Sequence, residues 1–337
     1  MLITRTQSEQ IDDQAERSAS LRTQKKARNL WKMILATVAL MIGIVLLLYP
    51  VIATCIMNYS QAKSVDIIES SLREQAEQRN VGQTNVEMDK ARNYNSKLHN
   101  GPILDPLLQR VAPDTEIYRN YLTYLNTASA MATLQIPSIK VKLPIYHGTF
   151  DDTLEKGAGH LFGTSLPVGG ESTHAVITAH SGLGNATMFD HLGEMSPGDP
   201  LYIFVAGERL KYEVVSTEVV EPHQTDSLYI RKGKDMVTLI TCTPYGINTH
   251  RLLVHAERAP MTHEDEKSLE SSTYPIFKLW MLIPAIAIIT ALTMIVVFTI
   301  LVHKRRRQRP KRAYENETID DMAQIDSEIT TDMQENN

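Results

Sequence analysis

The sequence predicts an all-β domain, an antiparallel barrel or sandwich, carried between two membrane-spanning helices. From Thr133 onward, short β-branched and aromatic runs are bounded by Gly, Pro and Asp clusters: LQIP (134–137), HAVITA (174–179), LYIFV (201–205), LKYEVVSTEVV (210–220), MVTLITC (236–242) and RLLVHAE (251–257). Six such runs with few helical intervals are the mark of a closed or sandwiched antiparallel sheet. About 125 residues suffice for one core of this kind. The second observation is a pair of apolar segments, Trp31 to Met57 and Met281 to Val302, the first without charge after Lys32 and the second without any. A helix crossing a hydrocarbon layer of about 30 Å needs about 20 apolar residues. A mean hydropathy of -0.20 hides both.

Element by element, the chain divides into a cytoplasmic N-terminus (1–30), a signal anchor (31–57), a helical stem with a loop (58–130), a β-domain (131–260), a linker (261–278), a second span (279–302) and a cytoplasmic tail (303–337). Arg22, Lys25, Lys26, Arg28 and Lys32 precede the first span, and His303 to Arg307 with Arg309, Lys311 and Arg312 follow the second. Basic flanks stay inside, so both termini are expected in the cytoplasm and the β-domain outside. Ser60-Gln61-Ala62 offers a small-x-small cleavage pattern, but the apolar run is much longer than a signal h-region of about 7–15 residues. In the stem, Val65, Ile68 and Leu72 recur at helical spacing, and Gly101-Pro102 reads as a helix stop. Asp105 to Asp114 reads as a loop. The tail after Arg312 is acidic and reads as solvated. A formal net charge of -5 over 337 residues gives no sign of a nucleic-acid partner.

Two cysteines are present, and Cys55 falls in the first span. Cys242 is therefore alone outside, where structural cysteines come in pairs. Thr238, Ile240 and Cys242 share one face of their strand, and Cys242 ends it, just before Pro244-Tyr245-Gly246. Strand ends present reactive groups on a rigid scaffold, although a buried inert thiol fits the position as well. A catalytic thiol needs a base or cation that favours thiolate. His147, His160, His174, His180, His191, His223, His250 and His255 are all available. His180, ending the apolar run HAVITA ahead of Ser181-Gly182, has the best local setting, and Arg251 opens the strand after Cys242.

Together these residues resemble a sortase of class C, the pilin-polymerising branch. The resemblance rests on Thr238-Leu239-Ile240-Thr241-Cys242, on Thr178-Ala179-His180-Ser181-Gly182 and on Arg251 within Asn248-Thr249-His250-Arg251-Leu252. Leu143 to Gly148, Gly159-His160-Leu161, Leu166 to Gly170 and Cys242 to Gly246 also match, so the likeness covers about residues 65 to 260. It implies a closed eight-stranded β-barrel with N-terminal helices, no metal or organic cofactor, and Cys242, His180 and Arg251 as the catalytic set. It implies attack on the Thr–Gly bond of an LPxTG-type signal on a secreted pilin, a thioacyl enzyme, and resolution by an amine such as a pilin lysine. It also implies a lid, Asp105-Pro106-Leu107, with Asp105 on Arg251 and Leu107 where the family often carries an aromatic residue over the thiol. Treated as a partly exposed ion pair, Asp105–Arg251 would contribute about 0–1 kcal/mol, so the Leu107 contact is expected to dominate unless the pair is desolvated. A cysteine peptidase with water as acceptor and a non-catalytic two-span surface protein are the alternatives.

Overall fold

The computed structural model describes residues 3–78, 85–100, 103, 105, 107, 114–271 and 286–301. Two compact units are present, residues 1–48 with 278–337, and residues 49–277. In the first unit, helix α1 (Ile3–Glu77) begins, and its stretch from Ile34 is long and apolar enough to cross a membrane by length and composition. Its side chains there face outward, with Leu35 and Leu46 about 70% exposed. A second apolar helix, Ile286–Leu301, belongs to the same unit. At about 1.5 Å per residue it is by itself too short for a 30 Å layer, and the rest of the expected second span lies outside the described residues. So do Pro106, the Gly101-Pro102 helix stop and the tail from 303.

The second unit is a closed barrel in the order β1-β2-β3-β4-β7-β8-β6-β5. Its strands are β1 (Ala132–Ile136), β2 (Val141–His147), β3 (Ala158–His160), β4 (Thr173–Thr178), β5 (Pro200–Val205), β6 (Glu208–Val220), β7 (Asp235–Thr243) and β8 (His250–Ala259). Most neighbours are antiparallel, but β2–β3 and β4–β7 are parallel. Alternation sends Leu134, Ile136, Ala175, Ile177, Ile203, Val205, Val237, Leu239, Val254 and Ala256 into one core. On the other face of β4, β7 and β8, Val176, Ile240 and Leu253 form a separate apolar cluster with Leu161 and Leu228.

The segment read as a stem is part of this unit. Val65, Ile68 and Leu72 on α1 are buried, as their spacing predicts. Between them Glu69 accepts hydrogen bonds from Thr133 (2.8 Å) and Gln135 (2.7 Å) on β1 and meets Arg209 on β6 at 3.4 Å. Helix α2 (Val86–Lys97), capped by Asn85, buries Met88, Ala91 and Asn95. The Asn95 amide takes the Leu166 N–H (2.7 Å) and donates to the Leu166 carbonyl (3.0 Å). Helix α3 (Glu116–Tyr121) adds Tyr118 and Tyr121 to the core. A short turn, α4 (Asp151–Leu154), precedes β3.

Two boundaries differ from the sequence reading. The apolar run was assigned to the membrane as far as Met57, yet Val51 and Thr54 are buried in the barrel unit, which begins at Tyr49. The expected linker contains helix α5 (His263–Ser271), whose Asp265 is bonded to Tyr202 (2.6 Å) and Lys211 (3.1 Å). What buries each segment is the barrel packed beside it, which mean apolarity does not register.

Candidate active site

The parallel register of β4 and β7 pairs Thr178 with Ile240. Two residues past that pair stand His180, just beyond the end of β4, and Cys242, still within β7 on the face of Ile240. The strand ends stay laced beyond the last ladder pair. Ala179 N–H donates to Ile240 O (3.2 Å), the Thr241 hydroxyl to Ala179 O (2.8 Å) and the Ser181 hydroxyl to Cys242 O (2.7 Å). On the other flank, antiparallel β8 sets Arg251 directly opposite Cys242. Thiol and guanidinium thus come from adjacent strands, on the face away from the main core, and His180 follows the end of the strand on the other flank of β7.

All three nitrogens of the Arg251 guanidinium donate hydrogen bonds. Nε donates to Asp105 Oδ1 (3.0 Å) and Nη2 to Asp105 Oδ2 (2.8 Å), a bidentate pair. Nη1 donates to the carbonyls of Asn248 and His250, both at 3.1 Å. The side chains of Arg251 and Asp105 are only 8% and 3% exposed, so the pair is desolvated. Leu107 N–H donates to Asp105 Oδ1 (3.3 Å), which orients the carboxylate, while Leu107 itself is only partly buried. The pair is thus the desolvated one that the sequence reading set apart as the case in which Leu107 need not dominate.

Charge states follow from these surroundings. Burial pushes the Cys242 thiol up, Arg251 pulls it down, and Asp105 pushes it up again, the net being upward. Burial draws His180 down, against the pull of Asp151 and Glu155. Both shifts favour the neutral forms, thiol and imidazole.

The remaining histidines have other duties. His147 bonds Tyr124 O (2.7 Å), and His160 lies between Tyr121 Oη (2.9 Å) and Ser165 O (2.8 Å). His191 and His223 pair with Glu194 and Glu221, and His250 with Thr249. Among the described residues the His180 ring makes no hydrogen bond, which leaves it available. Sequence reasoning missed a buried polar chain two rows below the thiol. It runs from Tyr229 O to His174 (3.1 Å), to Thr238 (2.6 Å), to His255 (2.7 Å) and to Glu218 (3.0 Å). The shared face of Thr238 and Cys242 was legible, but its histidine neighbours depend on register. Among the described residues, no three His, Cys, Asp or Glu side chains are placed to hold a metal ion.

Fold and site together define a β-barrel of enzyme type, with a cysteine, a histidine and an arginine gathered at adjacent strand ends. The sortase-domain family model matches residues 134–259. Sortase C-1 of Actinomyces oris is 56% identical in sequence and superposes with a TM-score of 0.51, covering 52% of this chain and 97% of that one. Sortase C of Streptococcus pneumoniae, whose structure is described as bearing on catalysis and pilin substrate specificity, is 39% identical with a TM-score of 0.52, covering 59% and 98%. Sortase D of Bacillus subtilis is 32% identical over 135 residues, 39% of this chain and 65% of that protein, so the match spans just under two thirds of this curated relative. The chain belongs to the sortase family.

Proposed function

We propose that this protein is a cysteine transpeptidase of class C, acting on an LPxTG-type signal of secreted pilins and joining it to a pilin lysine. The observation that carries the reading is the juxtaposition of His180, Cys242 and Arg251 at the ends of β4, β7 and β8. The Cys242 thiol passes its proton to His180, and the resulting thiolate attacks the Thr carbonyl carbon of the signal, the carbonyl π electrons moving to oxygen. As that oxyanion collapses the C–N bond breaks, and His180, protonated, gives its proton to the leaving Gly amine. The thioacyl enzyme is then attacked by the acceptor amine, which passes a proton to His180, and the thiolate departs. Splitting one amide exchange into two acyl transfers replaces one high barrier with two lower ones. Arg251 stabilises the oxyanion or holds the peptide backbone, electrostatic help of a kind worth about 10²–10³ in rate for one oxyanion donor.

Such help requires Arg251 to be released from Asp105. The loop bearing Asp105, Pro106 and Leu107 acts in this reading as a lid that the Asp105–Arg251 pair holds closed. In the membrane, α1 serves as anchor and 279–302 as a second span, with both termini cytoplasmic and the barrel outside. Surface proteolysis of intact cells should then remove the barrel and spare a tag beyond Arg312; loss of the tag would reverse the orientation.

The decisive experiment incubates the full chain in detergent with an LPxTG peptide and an amine, following products by mass spectrometry. A thioacyl adduct on Cys242 and an amine-dependent ligation product are expected. Cys242→Ala should abolish the adduct, and His180→Ala and Arg251→Ala should each slow turnover by orders of magnitude, whereas His250→Ala should not. Hydrolysis alone, unaffected by amine, would make the protein a peptidase.

A further inference from the structure

Helix α1 does more than hold the barrel, because its turn just past the apolar stretch grips the loop that carries His180. That loop, His180 to Asp190, closes on itself: Phe189 N–H donates to His180 O (3.0 Å) and Gly182 N–H to Asp190 Oδ1 (2.8 Å). One end is tied to the nucleophile strand by the Ser181 hydroxyl on Cys242 O (2.7 Å). The far side is held from α1. Asn58 accepts the Thr187 N–H at its Oδ1 (3.2 Å) and donates from Nδ2 to the Thr187 hydroxyl (3.0 Å), a reciprocal pair across 129 residues. One turn earlier, buried Thr54 gives its hydroxyl to Pro50 O (2.7 Å) and reaches Gly184 O at 3.5 Å.

The loop needs such a grip. It contains Gly182 at φ +79° and Gly184, both conformationally permissive, and the His180 ring has no hydrogen-bond partner of its own among the described residues. With only the charges of Asp151 and Glu155 acting on the imidazole among the described residues, its aim depends on the backbone ring from 180 to 189. Misplacement of a proton donor by about 1 Å can lower a rate by about 10²-fold.

We propose that Asn58 is a positioning residue for His180, acting through Thr187 and the 180–190 loop, so that the membrane-proximal end of α1 is part of the catalytic apparatus. The inference rests on the proposed catalytic role of His180. With Asn58 truncated, Thr187 loses both bonds, the glycine-bearing half of the loop gains freedom, and proton transfer to the leaving amine slows. Binding of the peptide and access to the thiol are untouched, because neither Asn58 nor Thr187 belongs to the β4–β7–β8 ends.

The test uses the full chain in detergent, with ligation of an LPxTG peptide to an amine as the assay. Asn58→Ala and Thr187→Ala should each lower kcat about tenfold with KM within twofold of wild type. The double variant should be no worse than either single one, since both remove the same contact. Asn58→Asp, which can accept both the Thr187 N–H and its hydroxyl proton, should restore at least half of kcat. The fraction of chain whose Cys242 is alkylated by iodoacetamide should stay at the wild-type level in all four. A wild-type kcat in Asn58→Ala beside an inactive His180→Ala would overturn the inference and leave the catalytic reading standing. An active His180→Ala would overturn both. A loss of alkylatable Cys242 in proportion to kcat, unrescued by Asn58→Asp, would show a role in folding only and so also overturn it.

Discussion

Asp105 binds the Nε–Nη2 edge of the Arg251 guanidinium with both carboxylate oxygens, and with 3% and 8% of the two side chains exposed the pair behaves as a buried one. Removing one member of such a pair costs about 3–5 kcal/mol, against about 0–1 kcal/mol for an exposed pair. That penalty falls on the closed state of the proposed lid, since on opening both groups would regain water. Leu107 is only partly buried and contributes less than the about 1.5–3 kcal/mol of full burial. Asp105→Ala should therefore speed iodoacetamide alkylation of Cys242 by tenfold or more, and Leu107→Ala by only a few-fold. This reverses the order expected from sequence. The pH dependence has a sign as well: the carboxylate raises the thiol, so Asp105→Asn should move the alkylation–pH midpoint to lower pH. Equal rates for wild type and Asp105→Ala would mean that the loop does not guard the site. At this scale the sequence told much about Cys242, which is unpaired at a strand end. It told nothing of the burial of Asp105, which is decided by what packs around a loop and not by its composition.

Among the elements, α1 is bolted to the barrel by an acid rather than by apolar contact alone. Glu69 satisfies buried Thr133 and Gln135 and faces Arg209. Glu69→Ala leaves those donors without their acceptor and a cation without its partner, which should lower unfolding stability by about 2–4 kcal/mol. Urea titration of the full chain in detergent would read it, with Glu69→Gln milder; a change below about 0.5 kcal/mol would mean that water replaces the carboxylate freely. The helical spacing of Val65, Ile68 and Leu72 announced this face, but not the charge between them. Two strands escaped the sequence reading for local reasons. β2 contains Pro144, which ordinarily argues against a strand. β3 has three residues, and its Gly159 lies so close to the chain that a Cβ would stand 2.3 Å from Gly148 O and 2.9 Å from Leu154 Cδ2. Glycine there marks close approach and carries no β signal.

Among the described residues the barrel buries His160, His174 and His255, and the first two are the ones burial shifts furthest. Burial lowers both His160 and His174 to about 4, from an ordinary value near 6.5. Between those values the unfolded chain binds protons that the folded chain does not, so stability falls as pH falls. The stability they supply is complete above pH 6.5 and withdrawn toward pH 4, on the order of 3 kcal/mol for each ring. The urea midpoint should thus drop steadily between pH 7 and pH 4.5, and replacing His174 by Gln should make that slope shallower. A flat profile over this range would mean that the rings titrate normally. Closure of the sheet was beyond residue-level reading, because alternation is the same in a barrel and a sandwich. The parallel β4–β7 pairing, which brings together residues 62 apart such as Thr178 and Ile240, leaves no periodic trace either. Only the resemblance carried eight strands and closure.

The carboxylate over Arg251 has a chemical consequence beyond gating. Peroxide and disulfides react with thiolate, not with thiol. On the proposed outer side of the membrane there is no glutathione to undo the damage, and Cys242 has no neighbouring cysteine to resolve a sulfenic acid. A resting state in which burial and Asp105 hold the sulfur protonated preserves the nucleophile between encounters with substrate. Variants that open the lid would then work faster at first and be inactivated sooner in air, trading working lifetime for readiness.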